Sequence, residues 1–317
     1  MKTSSFINQY KKLFQLSFGI ILLGVVILSY DPSTFYQLFI TAPFYYLIPC
    51  FLIYYFLMAL IWAAGVYLLL RRIKKGTIKK IITSSFKLQL IAVITPGRLG
   101  DIGLLYYLKK MYTSGQLSAI FFIDKLITLG VNVALSIIGI GIFLSWKYAI
   151  TISFLLLAIF FSIIWFLFKF PQKFIQWVFL KKIIIYLQGF RTELHATTRD
   201  IKGVAGNLLL TIIRYILSGI CALLALLWFG EQVALSDIIL IQAVAQLATF
   251  IPLTTMGLGI TEAVSVSLFS KIGITSEIVL AALLWSRAVY LMFIAGIYLC
   301  WIGIPLFSKI INRSNYK

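Results

Sequence analysis

Six stretches of this chain are apolar over about the 20 residues that a helix needs to cross a bilayer: roughly 13–30, 43–70, 116–145, 148–168, 204–229 and 276–306. Two further stretches, 81–108 and 238–270, are equally apolar at their ends but broken in the middle. The breaks read Thr95-Pro-Gly-Arg-Leu-Gly-Asp101 and Ile251-Pro-Leu-Thr-Thr-Met-Gly-Leu-Gly-Ile-Thr-Glu262. Irregular backbone at hydrophobic depth presents peptide groups that lipid cannot satisfy, so it persists only where protein or a watery cavity surrounds it. One break in each half of a chain is the pattern that marks the binding site of a transporter.

Hydrophobic residues make up 62% of the sequence and charged residues 12%, a balance that a water-soluble core cannot use. The expected fold is an all-α polytopic membrane protein. Lys11 and Lys12 precede the first apolar run as in a signal peptide, but no small-residue cleavage site follows, so the run reads as a retained span. The formal net charge of +19 invites a nucleic-acid reading. Position argues against it, because the basic residues cluster in short loops beside apolar spans, where they set orientation.

A broken stretch can enter and leave on one face as a re-entrant hairpin. With the N-terminus inside and both breaks as hairpins, the inside receives Lys2, Lys11, Lys12, the run Arg71-Arg-Ile-Lys-Lys75, Lys79, Lys80, Lys109 and Lys110. It also receives the 169–202 segment and the tail with Lys309, Arg313 and Lys317, which leaves only Lys147 and Lys271 outside. The asymmetry is lost for every later loop if one hairpin is made a full span. Each half then reads span, span, hairpin, span, with opposite orientation. This predicts an inverted repeat of two units, 1–147 with hairpin 81–108 and 148–317 with hairpin 238–270, comprising about six spans and two hairpins. Such repeats build alternating-access transporters; an inert gene duplication would leave the same trace. Between the halves, aromatics beside lysines in 170–202 predict a cytoplasmic interfacial helix or a plain linker.

Eight ionisable residues fall at hydrophobic depth: Lys87, Arg98, Asp101, Asp124, Lys125, Arg214, Glu262 and Arg287. Such groups normally face the bundle interior or a pathway, and here five cations face three acids. Lys125, Leu129, Asn132 and Ser136 share a helical face that is polar and small, so it should point inward; Arg287, Tyr290 and Tyr298 form a comparable stripe on the last span. The hairpin residues Pro96, Gly97, Gly100, Pro252, Gly257 and Gly259 permit reversal of the backbone. A half-helix starting after each break would aim its free N–H groups at the bundle centre, with Asp101 and Glu262 in its first turn. Those acids either cap the half-helix, or hold Arg98, Lys125 or Arg287 around a cavity that receives an anionic headgroup, or do both.

Chemistry of other kinds finds little support. His195 is the single histidine and falls in the linker, so neither a Ser–His–acid set nor HExxH is available. Cys50, Cys221 and Cys300 lie in apolar runs without CxxC spacing, which supports neither a disulfide framework nor a zinc site. The Gly-Leu-Gly around Leu258 follows no strand and so does not read as a nucleotide loop. No cofactor, metal or catalytic residue is expected.

At the hairpin residues the chain resembles the transmembrane region of lysylphosphatidylglycerol synthases and the wider flippase-like family of that name. The resemblance rests on Thr95-Pro-Gly-Arg-Leu-Gly-Asp101, on Phe122-Ile-Asp-Lys125, on Ile251-Pro to Gly257-Leu-Gly-Ile-Thr-Glu262, and on Arg287 after the second hairpin. Lys125 stands where the family has arginine, and Thr254-Thr-Met256 interrupts the second Pro-Gly element. The lysyl-transferring members carry a large soluble domain after the membrane part, and this sequence stops at Lys317, so the resemblance implies a translocating half without the synthase half. Its implied activity is translocation of a lipid with a phosphate-bearing or aminoacylated headgroup, an anionic phospholipid or a polyprenyl-phosphate-linked lipid, across the plasma membrane with both termini cytoplasmic. Arg98, Lys125 and Arg287 would meet the phosphate, while Asp101, Asp124 and Glu262 position them or couple protons. The alternatives are a scaffold that docks a cytoplasmic synthase or glycosyltransferase, and an intramembrane transferase; homo-oligomers are compatible with all three.

Overall fold

The computed structural model describes residues 17–73, 78–94, 107–108, 111–169, 189–249, 254 and 257–314. Among these the chain is helical throughout, with no strand. The helices are α1 (Ser17–Leu28), α2 (Pro32–Thr41), α3 (Phe44–Leu70), α4 (Ile78–Ile94), α5 (Ser114–Phe143), α6 (Trp146–Lys169), α7 (189–198), α8 (Ile201–Trp228), α9 (Leu235–Ala248), α10 (Ile260–Lys271) and α11 (Ser276–Ser314). Four of them, α3, α5, α8 and α11 as far as Cys300, are long and apolar enough to cross a membrane. The pair α1 and α2 adds a fifth if its two parts form one span. α6 occupies the fourth expected span, 148–168.

The spans are inside-out relative to those of a soluble protein. On α8, Leu209, Ile213, Ile216 and Leu224 are exposed, while Asn207, Thr211 and Tyr215 are buried four residues apart on the opposite side. On α5, Ile138 and Ile142 are exposed whereas Asn132 and Ser136 are buried. Lipid solvates aliphatic side chains as well as a core does, so helix association falls to close packing and to polar contacts between helices.

α3 and α8 run antiparallel at the centre. Contacts along them pair Tyr46 with Trp228, rings stacked at 4.4 Å, then Cys50 with Cys221, sulfurs 4.0 Å apart as free thiols, then Tyr54 with Ser218, whose oxygens lie 3.2 Å apart. α4 packs on α3 and α9 packs on α8, while α5 lies against α9 and α11 against α4. Two apolar clusters fill the bundle, one around Trp62, Leu69, Ile81 and Ile120 and the other around Phe51, Leu226, Ile241 and Leu280.

The second hairpin is seen as α9 and α10, which pack against each other. At 14 and 12 residues they rise about 21 and 18 Å, short of a hydrocarbon layer about 30 Å thick. For the first hairpin, α4 supplies the leading arm; Pro96, Gly97, Arg98, Gly100 and Asp101 lie outside the described residues, as does Pro252.

Two features add to the sequence reading. The stretch after the first span, which the span assignment does not cover, forms α2. Asp31 caps it by accepting the Ser33 N–H at 3.0 Å, Pro32 occupies the first helical turn, and the chain bends by 102° between α1 and α2. α2 then packs on α11, where Trp285 Nε1 donates to the Phe39 carbonyl at 2.9 Å and the two rings stack. The second concerns the segment between the halves. Residues 189–198 of the expected surface segment pack on the bundle as α7, through an Arg72–Glu193 ion pair, the buried Thr197 and an edge-on contact of Phe190 with Phe122; residues 170–188 lie outside the described residues.

Candidate functional site

The hairpin turn requires glycine. Gly257 and Gly259 have φ of 68° and 80°, left-handed values that a side chain disfavours. Gly259 also abuts α1, since a Cβ there would lie 2.8 Å from Leu22 Cβ and 2.9 Å from the Leu23 backbone nitrogen. Gly259→Ala is therefore expected to lose about 2 kcal/mol or more from strain and overlap together. Thermal unfolding in detergent checks this; a melting temperature equal to that of the parent chain would refute the assigned contact.

Just past the turn, the first residues of α10 build an ion-paired centre. Glu262, 1% exposed, folds back so that Oε2 accepts the Gly259 N–H at 2.7 Å and the Thr261 hydroxyl lies 3.0 Å away. Oε1 receives the Nε of Arg287 from α11, and Arg287 Nη2 donates to Thr261 Oγ1 at 2.6 Å. A carboxylate in the first turn also complements the helix dipole. Capping and cation-holding are thus the same arrangement. The Arg287 side chain keeps 24% exposure, so the cation is oriented without being sealed.

A second centre lies on α5. Asp124, 1% exposed, accepts the indole N–H of Trp62 from α3 at 3.2 Å and the amide of Asn207 from α8 at 3.1 Å. Lys125 Nζ stands 3.8 Å from the same carboxylate, with the Trp62 and Phe121 ring centroids 5.8 and 5.2 Å away. The lysine is one-third exposed. Neutral donors hold the acid here, and the lysine is a looser partner than Arg287 is to Glu262.

Of the six expected site residues, the structure thus joins Glu262 to Arg287 and Asp124 to Lys125, while Arg98 and Asp101 lie outside the described residues. Sequence reasoning passed over Thr261, Trp62 and Asn207. Thr261 follows the glycines directly and could have been read from the turn; Trp62 and Asn207 lie far from Asp124 in sequence and carry no local signature.

Beside the hairpin centre a cavity of about 110 Å³ opens between α3, α8, α9, α10 and α11. Its polar lining comes from Tyr54, Tyr55, Ser218, Gln242, Ser265 and Ser286. Ser286 adjoins Arg287 in sequence, and Ser265 lies one turn beyond Glu262. Tyr55 Oη stands 2.7 Å from Ser286 Oγ, and Ser218 donates to Gln242 Oε1 at 2.9 Å. No group of three or more metal-ligating side chains occurs among the described residues.

Residues 13–297 match the family described as the lysylphosphatidylglycerol synthase TM region. The chain belongs to that family. The match spans both ion-paired centres and the hairpin between α9 and α10. No significant match is found among curated proteins or among solved structures. Family membership and the apolar helices together make this an integral membrane protein related to lipid handling.

Proposed function

We propose that the chain is a lipid translocase that carries a phosphate-bearing headgroup across the bilayer through the space between its hairpins. The observation that carries this reading is Arg287: a cation inside an apolar bundle, held by a buried acid at the tip of a broken helix and still partly exposed. Lys125, the equivalent residue in the first half, supplies a second cation held by a second buried acid. Two cations placed this way suit a phosphate, which accepts charged hydrogen bonds from more than one side. Arg98 and Asp101, which fall in the first break of the sequence, belong to the same proposal as an expectation from the sequence alone.

The reading includes six spans and two hairpins arranged as an inverted repeat. It is supported by the antiparallel pairing of α3 with α8, the second span of each half, and by the matched packing of α4 on α3 and α9 on α8. The plasma membrane and cytoplasmic termini belong to the same proposal. Tyr45, Tyr46, Trp146, Tyr148 and Trp228 are exposed at helix ends assigned to the outside, where Trp and Tyr favour the interface, while the arginines and lysines gather at the other ends. In whole cells, cysteine placed at Ser236 should react with an impermeant thiol reagent and cysteine at Lys79 should not; the reverse pattern overturns the orientation.

The deciding experiment is reconstitution into liposomes that carry fluorescent anionic, zwitterionic or aminoacylated lipids in one leaflet. Movement of a phosphate-bearing anionic lipid is the expected result. If none of the lipids crosses while the protein remains folded, the translocase reading fails, and docking of a cytoplasmic enzyme becomes the better account.

A further inference from the structure

The inward face of α5 carries an uninterrupted polar ladder. Asp124, Thr128, Asn132 and Ser136 recur every fourth residue, so they stack along one side of the helix. Asn132 and Ser136 are 1% and 0% exposed. The oxygens Thr128 Oγ1, Asn132 Oδ1 and Ser136 Oγ are buried with no hydrogen-bond partner among the described residues. Elsewhere in the chain, Ser29, Thr83, Ser85, Thr151, Ser153 and Ser270 each donate to the carbonyl four residues back, the ordinary way for a helix to satisfy a hydroxyl in lipid. Thr128 and Ser136 do not.

The facing element is α9, the first arm of the second hairpin. Asn132 Nδ2 donates to the Ala243 carbonyl at 3.3 Å and reaches Gln246 Oε1 at 3.5 Å. One turn beyond Ser136, a Cβ on Gly139 would lie 2.9 Å from Val244 and 3.1 Å from the Leu240 carbonyl oxygen, so the two helices meet closely. An interface closed for good would be apolar or fully hydrogen-bonded. This one is closed over oxygens left without partners as packed, which a polar medium or a polar ligand would satisfy.

We propose that the α5–α9 contact is the seam that opens. When α9 moves off α5, Thr128, Asn132 and Ser136 line an aqueous track that starts at the Asp124–Lys125 centre and receives the polar headgroup in transit. The inference rests on the translocase reading for its cargo. The opening itself can be tested without any lipid.

The test uses the full chain with Cys50, Cys221 and Cys300 replaced by alanine and single cysteines placed at Thr128, Ser136, Ile138 or Ile142, in proteoliposomes treated with a charged methanethiosulfonate. Thiolate forms in water and not against lipid, so Ser136→Cys and Thr128→Cys should react roughly tenfold faster than the two lipid-facing controls. Modification at Ser136 should also halt lipid movement. Reactivity no greater than at Ile138 and Ile142 overturns the seam. If Thr128→Cys fails to fold, the near-isosteric Ser136→Cys decides alone. Lipid movement without labelling sinks the seam and spares the translocase; labelling without lipid movement sustains the seam and sinks the translocase.

Discussion

Glu262→Ala is expected to yield little folded protein. The substitution strips Arg287 Nε of its carboxylate and leaves the Gly259 N–H without its acceptor, both at the tip of the hairpin. Breaking a buried pair from one side typically costs about 3 to 5 kcal/mol, because the remaining charge is left uncompensated. Arg287→Gln should cost nearly as much, since it abandons a carboxylate that is 1% exposed. Removing both charges is different. The double variant Glu262→Gln and Arg287→Gln should recover much of the lost stability and still fail to move an anionic lipid. Size-exclusion profiles and melting curves of the two single variants and the double variant measure the coupling directly. Equal, additive losses would mean that the pair does not act as a unit.

Lys125→Gln is the cleaner test of transport, with the opposite balance of effects. Asp124 keeps the Trp62 indole and the Asn207 amide, so loss of the neighbouring ammonium at 3.8 Å leaves the acid supported. Folded yield should stay close to that of the parent chain. A hydrogen bond to a charged partner contributes about 1.5 to 3 kcal/mol, so movement of an anionic lipid should slow by roughly ten- to a hundredfold. Lys125→Arg should keep the activity, because the charge remains even though the donor geometry changes. Undiminished movement in Lys125→Gln, measured in the same liposomes, would remove Lys125 from the proposed phosphate site.

These two centres show what the sequence could and could not disclose. An acid three residues after a positive-φ glycine, at the start of a broken apolar stretch, announces its own position, and a lone arginine in the next span announces a partner for it. The four long apolar helices α3, α5, α8 and α11 were legible for the same reason: apolar length is a local property. The partners of Asp124 were not legible, since tryptophan and asparagine are unremarkable in an apolar run and become donors only when α3 and α8 cross beside α5. α2 was missed for a different reason. Asp31 and Pro32 form a recognisable helix start, but ten residues are too few to span a bilayer, and a search for spans passes over them. The orphaned oxygens of Thr128 and Ser136 were hidden most deeply. Spacing showed that α5 has a polar face, but only the packing of α9 shows that the face lacks partners.

The contact between Gly259 and Leu22 and Leu23 bears on biogenesis. α1 leaves the ribosome well before α10, yet the surface it presses on is the turn of the second hairpin, more than 200 residues later in the chain. α2 waits as long for Trp285. α1 and α2 must therefore enter the membrane and stand with their protein-facing sides unmatched until the second hairpin and α11 arrive. The contact closing this long loop cannot form early, so the bundle stays incomplete until α10 has been made. A half-length product would leave the α1 surface bare in lipid, open to whichever insertion machinery or quality-control protease meets it first.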